Sequence, residues 1–281
     1  MAALANCPDL ESLELARGGT VGLDDRQVNC DAVVKLCRLQ RLYLKFNDPP
    51  AVRYLLSHIE CPESTRVRLS VAVGWDVDIS DIIYQVLPRG NTDTIQYFRK
   101  TQTLTAYLGD DTYTFSAEGS TIHCHNQRVY YPQALSQFAS EFLEVVGGNT
   151  LTLFVGRGCH ELTERVWEAV LRGLPRLERL NYQTYQGKRD RVVIDPFISV
   201  FSQAYQAALV LPQLQHLELP RDLITHGPSA TLLKHALEER IAWGRRLKRI
   251  GLSDDEAEEA DGLVLGPFLD VVDDVQYRTP G

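Results

Sequence analysis

The sequence predicts an α/β solenoid in which a parallel sheet lines the concave side and helices cover the outer side. Three observations predict it: a short leucine pattern recurs along the chain, its copies lie about one repeat length apart, and amphipathic helical segments separate them. Each strand–helix unit has an apolar face that only a neighbouring unit can cover, so stacked units form one continuous core. This is the leucine-rich-repeat horseshoe, here with about seven or eight units.

The leucine pattern has the form L-x-x-L-x-L, and its second half alternates as a strand does. Five segments carry it, with conservative replacements at the end: 10–15 (LESLEL), 39–44 (LQRLYL), 177–182 (LERLNY), 214–219 (LQHLEL) and 247–252 (LKRIGL). Segments 67–71 (VRLSV) and 151–155 (LTLFV) keep only the alternating part. The first two copies start 29 residues apart and the last three 37 and 33 apart, which leaves room for a full helix in each unit.

Four intervening segments are predicted to be helices. Residues 161–171 and 231–241 carry apolar residues at helical spacing. Segments 132–146 and 196–209 begin with proline, which suits a first helical turn, and Gly147-Gly148 suits the end of the former.

The middle of the chain breaks the repeat. Residues 94–131 alternate like strands and contain no obvious helix. We expect three short strands at 103–108, 112–117 and 121–125, joined by tight turns rich in glycine, aspartate and serine. The chain is therefore predicted to be a single leucine-rich-repeat domain over residues 1–281, with an irregular β-hairpin insertion at about 94–131.

Composition excludes several classes of protein. With 44% hydrophobic residues the chain is not disordered as a whole, and no apolar stretch approaches the ~18 residues of a membrane-spanning helix. A net charge of −8 and a pI near 5.4 disfavour nucleic-acid binding, which needs a basic surface. Six cysteines form no C-x-x-C pair, and no secretory signal opens the sequence, so we expect a cytoplasmic or nuclear protein without membrane contact.

Two segments resemble the large F-box-like families of mushroom-forming fungi. Residues 7–15 (CPDLESLEL) are similar to their "CPNLESLEL" segments, and residues 54–69 (YLLSHIECPESTRVRL) resemble a "FLSHL-x-x-P-x-S-T-x-V-x-L" stretch. Residues 87–91 (LPRGN) fit the same families. The resemblance implies a leucine-rich region that recruits a protein substrate to a cullin-based ubiquitin ligase. No F-box is recognised before Leu10, so binding of the cullin-ligase adaptor is expected only if an F-box exists upstream.

Three short segments could carry chemistry, and each has a simpler structural interpretation that the sequence favours. His123 and His125 share a strand face around Cys124, but two imidazoles do not complete a zinc site. Residues 156–161 (GRGCHE) pair a cysteine with a histidine at a strand-to-helix turn, although they lack a phosphate-binding fingerprint. The acidic run at 253–261 is typical of a solvated loop.

The three tryptophans are predicted to have different roles. Trp167 and Trp243 are expected in the core, because each lies on or near the apolar stripe of a helix. Trp75 lies in a loop and is the better candidate for an exposed contact.

The most informative surface is the column of residues between the last two apolar positions of each strand. These point away from the core: Glu14, Tyr43, Arg68, Thr152, Asn181, Glu218 and Gly251. The set holds no catalytic triad or carboxylate pair. It suits protein recognition, in which Tyr and Arg contribute disproportionately, and it equally suits a solvated face with no binding role. We therefore expect a non-catalytic, cofactor-free and metal-free scaffold that binds a protein of unknown identity, with Tyr43, Arg68 and Glu218 foremost.

Two alternatives to this function stay open. The chain could be a degenerate or stand-alone repeat protein with no role in a ubiquitin ligase. It could also be a hydrolase that uses Cys159 or His160, which would require a third group brought close to them.

Overall fold

The computed structural model describes residues 1–17, 33–46, 49–73, 86–87, 102–108, 112–117, 120–126, 147–155, 163–182, 195–202, 204–205, 208–220, 228–253 and 268–278. The predicted helix at 132–146, the turn at 156–161, the acidic residues 254–261 and Trp75 lie outside these ranges.

The described secondary structure alternates strands with helices. The strands are β1 (Ser12–Arg17), β2 (Val34–Lys35), β3 (Arg41–Phe46), β4 (Ile59–Glu60), β5 (Arg66–Val73), β6 (Thr103–Leu108), β7 (Thr112–Ala117), β8 (Ser120–Asn126), β9 (Thr152–Val155), β10 (Arg179–Tyr182), β11 (Ala204–Tyr205), β12 (Ala208–Leu209), β13 (His216–Pro220), β14 (Leu247–Ser253) and β15 (Val272–Arg278). The helices are α1 (Ala2–Ala5), α2 (Pro49–His58), α3 (Glu164–Arg172), α4 (Asp195–Ser202) and α5 (Pro228–Ala242), with a 3₁₀ turn at Gly147–Asn149.

Eleven of these strands form one sheet, in the order β1-β3-β5-β8-β7-β6-β9-β10-β13-β14-β15. All neighbours pair in parallel except β6 with β7 and β7 with β8. The α/β class with a parallel sheet is therefore confirmed. The β-rich middle segment is also confirmed as strands at 103–108 and 112–117, with a third at 120–126. It lies within the sheet, because β8 pairs with β5 and β6 pairs with β9 in parallel.

The core lies between the sheet and the helices. The strand leucines of the L-x-x-L-x-L copies are buried from the second copy onward, and those of the first copy are buried or partly buried. They join apolar residues of the helices in one cluster. On α3, Trp167 is 2% exposed and packs edge-on against Phe197 of α4, with ring centroids 5.2 Å apart. The prediction that Trp167 belongs to the core is confirmed.

One helix prediction was wrong in part, and the prediction that Trp243 belongs to the core was wrong. The segment predicted as a helix over 196–209 ends at Ser202, and a short antiparallel pair of β11 and β12 replaces its last two turns. Short apolar runs fit either period, so the pattern alone could not place this end. Trp243 is 48% exposed. Helix α5 stops at Ala242 and Gly244 takes a φ of +71°, so Trp243 leaves the helical stripe.

The same tight turn precedes many strands of the sheet. In each, an N–H donates to the carbonyl three residues earlier, at 2.9 to 3.2 Å. The described hydrogen bonds of this kind, each written as donor and acceptor residue, are Leu10 to Cys7, Leu39 to Leu36, Thr65 to Pro62, Leu177 to Leu174, Leu214 to Leu211 and Val271 to Phe268. In the two Leu-Pro segments, Pro175 and Pro212 occupy the second turn position, which proline favours.

A second repeating hydrogen-bond pattern fixes the start of five strands, β3, β9, β10, β13 and β14, against the preceding unit. One carbonyl of the earlier unit accepts two successive N–H groups at the start of the next strand, at 2.8 to 3.2 Å. The accepting residues are Glu11, Gln102, Leu151, Glu178 and Gln215. Because both donors are consecutive, a shift of one residue would break the pair and would also turn the strand's leucines away from the core.

A buried arginine secures one of these turns. Arg240 of α5 is fully buried, and its two terminal nitrogens donate to the carbonyls of Val210 and Leu211, each at 2.9 Å. Its guanidinium also lies 4.7 Å from the ring centroid of Phe201. Leu211 has a φ of +54°, which costs a non-glycine residue about 1 kcal/mol, so these hydrogen bonds hold a strained turn. Burial lowers the pKa of Arg240 to about 10, with a smaller effect of Arg245, and the side chain stays charged at neutral pH.

The leucine ladder yields a first prediction. Leu217→Ala should lower the free energy of unfolding by about 3 kcal/mol, because Leu217 is 1% exposed and its removal leaves a cavity in the core. The matched Leu232→Ala, at a position 45% exposed on α5, should change it by less than about 0.5 kcal/mol. Urea unfolding followed by circular dichroism measures both, and equal losses would contradict the assignment of the buried face.

A second prediction concerns Arg240. Arg240→Lys should cost about 2 kcal/mol, because one ammonium cannot reproduce the planar fork that reaches both carbonyls. Arg165→Lys, on the exposed surface of α3, is the control and should have almost no effect. Unchanged unfolding in Arg240→Lys would show that the two hydrogen bonds do not hold the turn.

Candidate functional site

The face of the sheet opposite the helices carries the candidate site. In each parallel strand the residues between buried leucines turn to this face. Strand register aligns them into a row that crosses all eleven strands, here named the central row: Glu14, Tyr43, Arg68, Thr121, Ser116, Thr105, Phe154, Asn181, Glu218, Gly251 and Gln276.

The structure brings most of the sequence-predicted site residues into this row, in two separate groups. Glu14, Tyr43 and Arg68 are direct neighbours on β1, β3 and β5. Asn181 and Glu218 are direct neighbours on β10 and β13. Five strand spacings of ~4.8 Å separate Arg68 from Asn181, so the two groups are ~24 Å apart. A single small partner group cannot touch both.

Thr152 does not belong to the central row. It lies opposite Arg179, two residues before the position that Phe154 occupies in the row. In the segment LTLFV, both Thr152 and Phe154 alternate with apolar residues. The sequence pattern could not decide which of the two aligns with the central row of the neighbouring strands. Phe154, half-buried on this face, is therefore a site residue that sequence reasoning missed.

A second row of outward-facing residues, two positions before the central row on each strand, is rich in basic residues. It holds Ser12, Arg41 and Arg66 in the first group and Thr152, Arg179, His216, Arg249 and Asp274 in the second. We name it the basic row. The sequence carried a signal for it, because the residue before the second leucine of the pattern is basic or histidine in most copies.

The second group forms a depression of about 150 Å³ on the sheet face. At its centre the amide nitrogen of Asn181 donates to a carboxylate oxygen of Glu218 at 2.8 Å. Glu218 leans over Gly251, where an added Cβ would lie 3.2 Å from the Cγ of Glu218. Glycine at this position therefore makes room for the glutamate, and a Cβ there would require the glutamate side chain to shift.

Charges line one side of this depression. The Nε of Arg249 donates to Asp274 at 3.0 Å, and Gln276 donates to the same carboxylate oxygen at 2.8 Å. On the other flank Arg179 forms no ion pair with any described residue. Partial burial lowers the pKa of the neighbouring His216, and the positive charges of Arg179, Arg249 and Lys248 lower it further.

The first group is held by an aromatic contact. The guanidinium carbon of Arg68 lies 5.3 Å from the ring centroid of Tyr43, within the range of a cation–π interaction. The arginine is exposed and the tyrosine is half-buried. The stack restricts the rotamers of both side chains, which would lower the entropy lost by them on binding any ligand.

The other chemistry-bearing residues of the described chain show no assembled site. His123 and His125 lie two residues apart on β8, opposite Ser70 and Ala72. No group of three or more potential metal ligands occurs within the described ranges. Burial raises the pKa of the Cys61 thiol, while Cys7 and Cys37 are exposed free thiols. Among the helices that the structure describes, none is long and apolar enough to cross a bilayer.

Comparison with known proteins gives no further guide. No protein-family model matches the chain, and no curated protein matches it.

The geometry around His216 gives a third prediction. Arg179→Gln should raise the pKa of His216 part of the way to its ordinary value of 6.5, because one of the cations that oppose its protonation is removed while burial remains. Arg165→Gln on α3 should leave it unchanged. Imidazole chemical shifts in an NMR titration measure the pKa directly, and equal values in wild type and Arg179→Gln would contradict the proximity of the two side chains.

The same shift sets a dependence of stability on pH. With the folded pKa below 6.5, the unfolded chain takes up the proton first as the pH falls, so His216 lowers stability over the interval between the two pKa values. His216→Gln should therefore lose less stability than wild type on acidification through this interval. A steeper loss in the variant would contradict the direction of the shift.

Proposed function

We propose that this chain is a leucine-rich-repeat scaffold that binds another protein through the sheet face formed by the central and basic rows. On this proposal the turn–strand–helix units stack into a horseshoe, with this sheet face on its concave side. The parallel pairings, the repeated turn and the buried leucines of each copy support that architecture.

The observation that carries the proposal is the continuity of the central row. Its register runs unbroken across eleven strands, through the antiparallel segment in the middle. At ~4.8 Å per strand the row spans ~48 Å, which exceeds what a small-molecule site needs and matches the extent of a protein interface. Its residues include Tyr, Arg, Phe and Asn, and the first two are enriched at binding hot spots.

The resemblance to fungal F-box-like proteins suggests the context of that binding. On this proposal the chain recruits a protein substrate for a cullin-based ubiquitin ligase in the cytoplasm or nucleus, without cofactor or catalysis of its own. Contact with the cullin-ligase adaptor would require an F-box upstream of the segment described.

Affinity capture tests the proposal and supplies a fourth prediction. The tagged chain, used as bait in a native fungal lysate, should retain specific proteins that mass spectrometry identifies. The triple variant Tyr43→Ala/Arg68→Ala/Glu218→Ala should reduce their recovery at least about tenfold, because it removes hot-spot side chains from both groups of the row.

A matched triple variant controls for non-specific effects. Arg165→Ala/Leu232→Ala/Glu238→Ala also removes one cation, one anion and one large side chain, but from the exposed surfaces of α3 and α5. It should leave recovery unchanged. Unchanged recovery with the first triple variant, or absence of any specific protein with wild type, would contradict the sheet-face proposal. Co-recovery of the cullin adaptor would support the ligase role, and specific partners without it would favour a stand-alone binder.

A further inference from the structure

The part of the sheet face on β3 and β5 is basic, although the chain as a whole carries a net charge of −8. Arg41 and Lys45 point outward from β3, and Arg66 and Arg68 point outward from β5. All four are exposed. Glu14 on β1 is the one carboxylate among the described residues of this face beside them. We name these four cations, with Tyr43 between them, the basic patch.

Carboxylates of the described chain do not neutralise the basic patch. Several other cations of the described chain have a carboxylate partner, as Lys35 has Glu60 at 3.0 Å and Arg249 has Asp274 at 3.0 Å, although Arg179 has none. No ion pair within the described ranges involves any of the four patch cations. Four like charges on two adjacent strands repel one another, so their arrangement lowers stability unless an anionic partner occupies the face.

The spacing of the patch suits an extended chain. Arg66 and Arg68 are two residues apart on one strand, a rise of ~6.7 Å, and Arg41 lies one strand spacing of ~4.8 Å from Arg66. An extended peptide places alternate side chains on one side at the same ~6.7 Å interval. Acidic residues at every second position would therefore each meet a cation, and Tyr43 offers an aromatic surface between them.

We infer that the basic patch is the subsite of the sheet face that binds an acidic, extended peptide segment of the partner protein. The inference rests on the proposed protein-binding function and adds the chemistry of the ligand. Charge complementarity between this patch and the segment would guide association and fix its register, as it does at other charged interfaces.

A nucleic acid fits the patch less well. A polyanion of regular charge would meet Glu14 at the edge of the patch and long-range repulsion from a chain of charge −8. Single-stranded nucleic acids also need a succession of aromatic platforms, and Tyr43 is alone among the described side chains of this patch.

Peptide binding tests the inference and gives a fifth prediction. A fluorescent short peptide of alternating glutamate and serine should bind the full chain at low ionic strength, and binding should weaken as salt screens the charges. Arg66→Gln/Arg68→Gln should weaken binding about three- to thirtyfold in a fluorescence anisotropy titration. The control Arg53→Gln/Arg165→Gln removes the same charge from the exposed helix surfaces and should bind as wild type does.

Three results would overturn the inference: no binding of the acidic peptide, equal weakening by both double variants, or tighter binding of a single-stranded RNA of equal charge. A thermal midpoint that is not lowered in either double variant shows that the fold is intact, and relief of the repulsion should raise it slightly in Arg66→Gln/Arg68→Gln. If the acidic peptide does not bind, but the Tyr43/Arg68/Glu218 triple variant still recovers less partner protein than wild type, the inference is overturned and the proposed function stands. Retained capture in that triple variant contradicts the proposed function itself.

Discussion

The rest of the structure depends on one backbone interaction, the carbonyl that accepts two consecutive N–H groups from the next unit. Repeated at Glu11, Gln102, Leu151, Glu178 and Gln215, it sets the register of β3, β9, β10, β13 and β14 against their neighbours. Register decides which residues face the helices and which face solvent, because the two sets alternate. The buried leucines and the central row are thus two results of one constraint, and hydrophobic burial then stabilises the register that the backbone defines.

The middle segment shows how this constraint survives a break in the repeat. Strands β6, β7 and β8 lack the full leucine pattern and pair with each other in antiparallel fashion. Their outer members nevertheless pair in parallel with β9 and β5, so the sheet continues without an internal edge. Unpaired strand edges promote aggregation. The insertion leaves no unpaired edge between the two repeating parts of the described sheet.

Much of the fold was predictable from the sequence, because the leucine period directly encodes the buried face. Leu217 and Trp167 are buried as the pattern indicates, and the strands at 103–108 and 112–117 have the predicted bounds. The errors arose where a local pattern allowed two solutions. Segment 151–155 fits two alignments, and Trp243 follows a helical stripe that the chain leaves at Gly244. The separation of the site into two groups depends on strand order, which no local pattern contains.

The alternation of buried and outward residues along each strand has an evolutionary consequence. Outward positions of the central and basic rows contribute little to the packing between sheet and helices, so a substitution there alters the surface without disturbing the core. Non-adjacent strands present their outward residues at separate positions, so these can change independently, whereas neighbours in contact, such as Asn181 and Glu218, are coupled. Under the proposed function, a gene family built on this plan would acquire new binding specificities by single substitutions in these two rows while its scaffold is preserved.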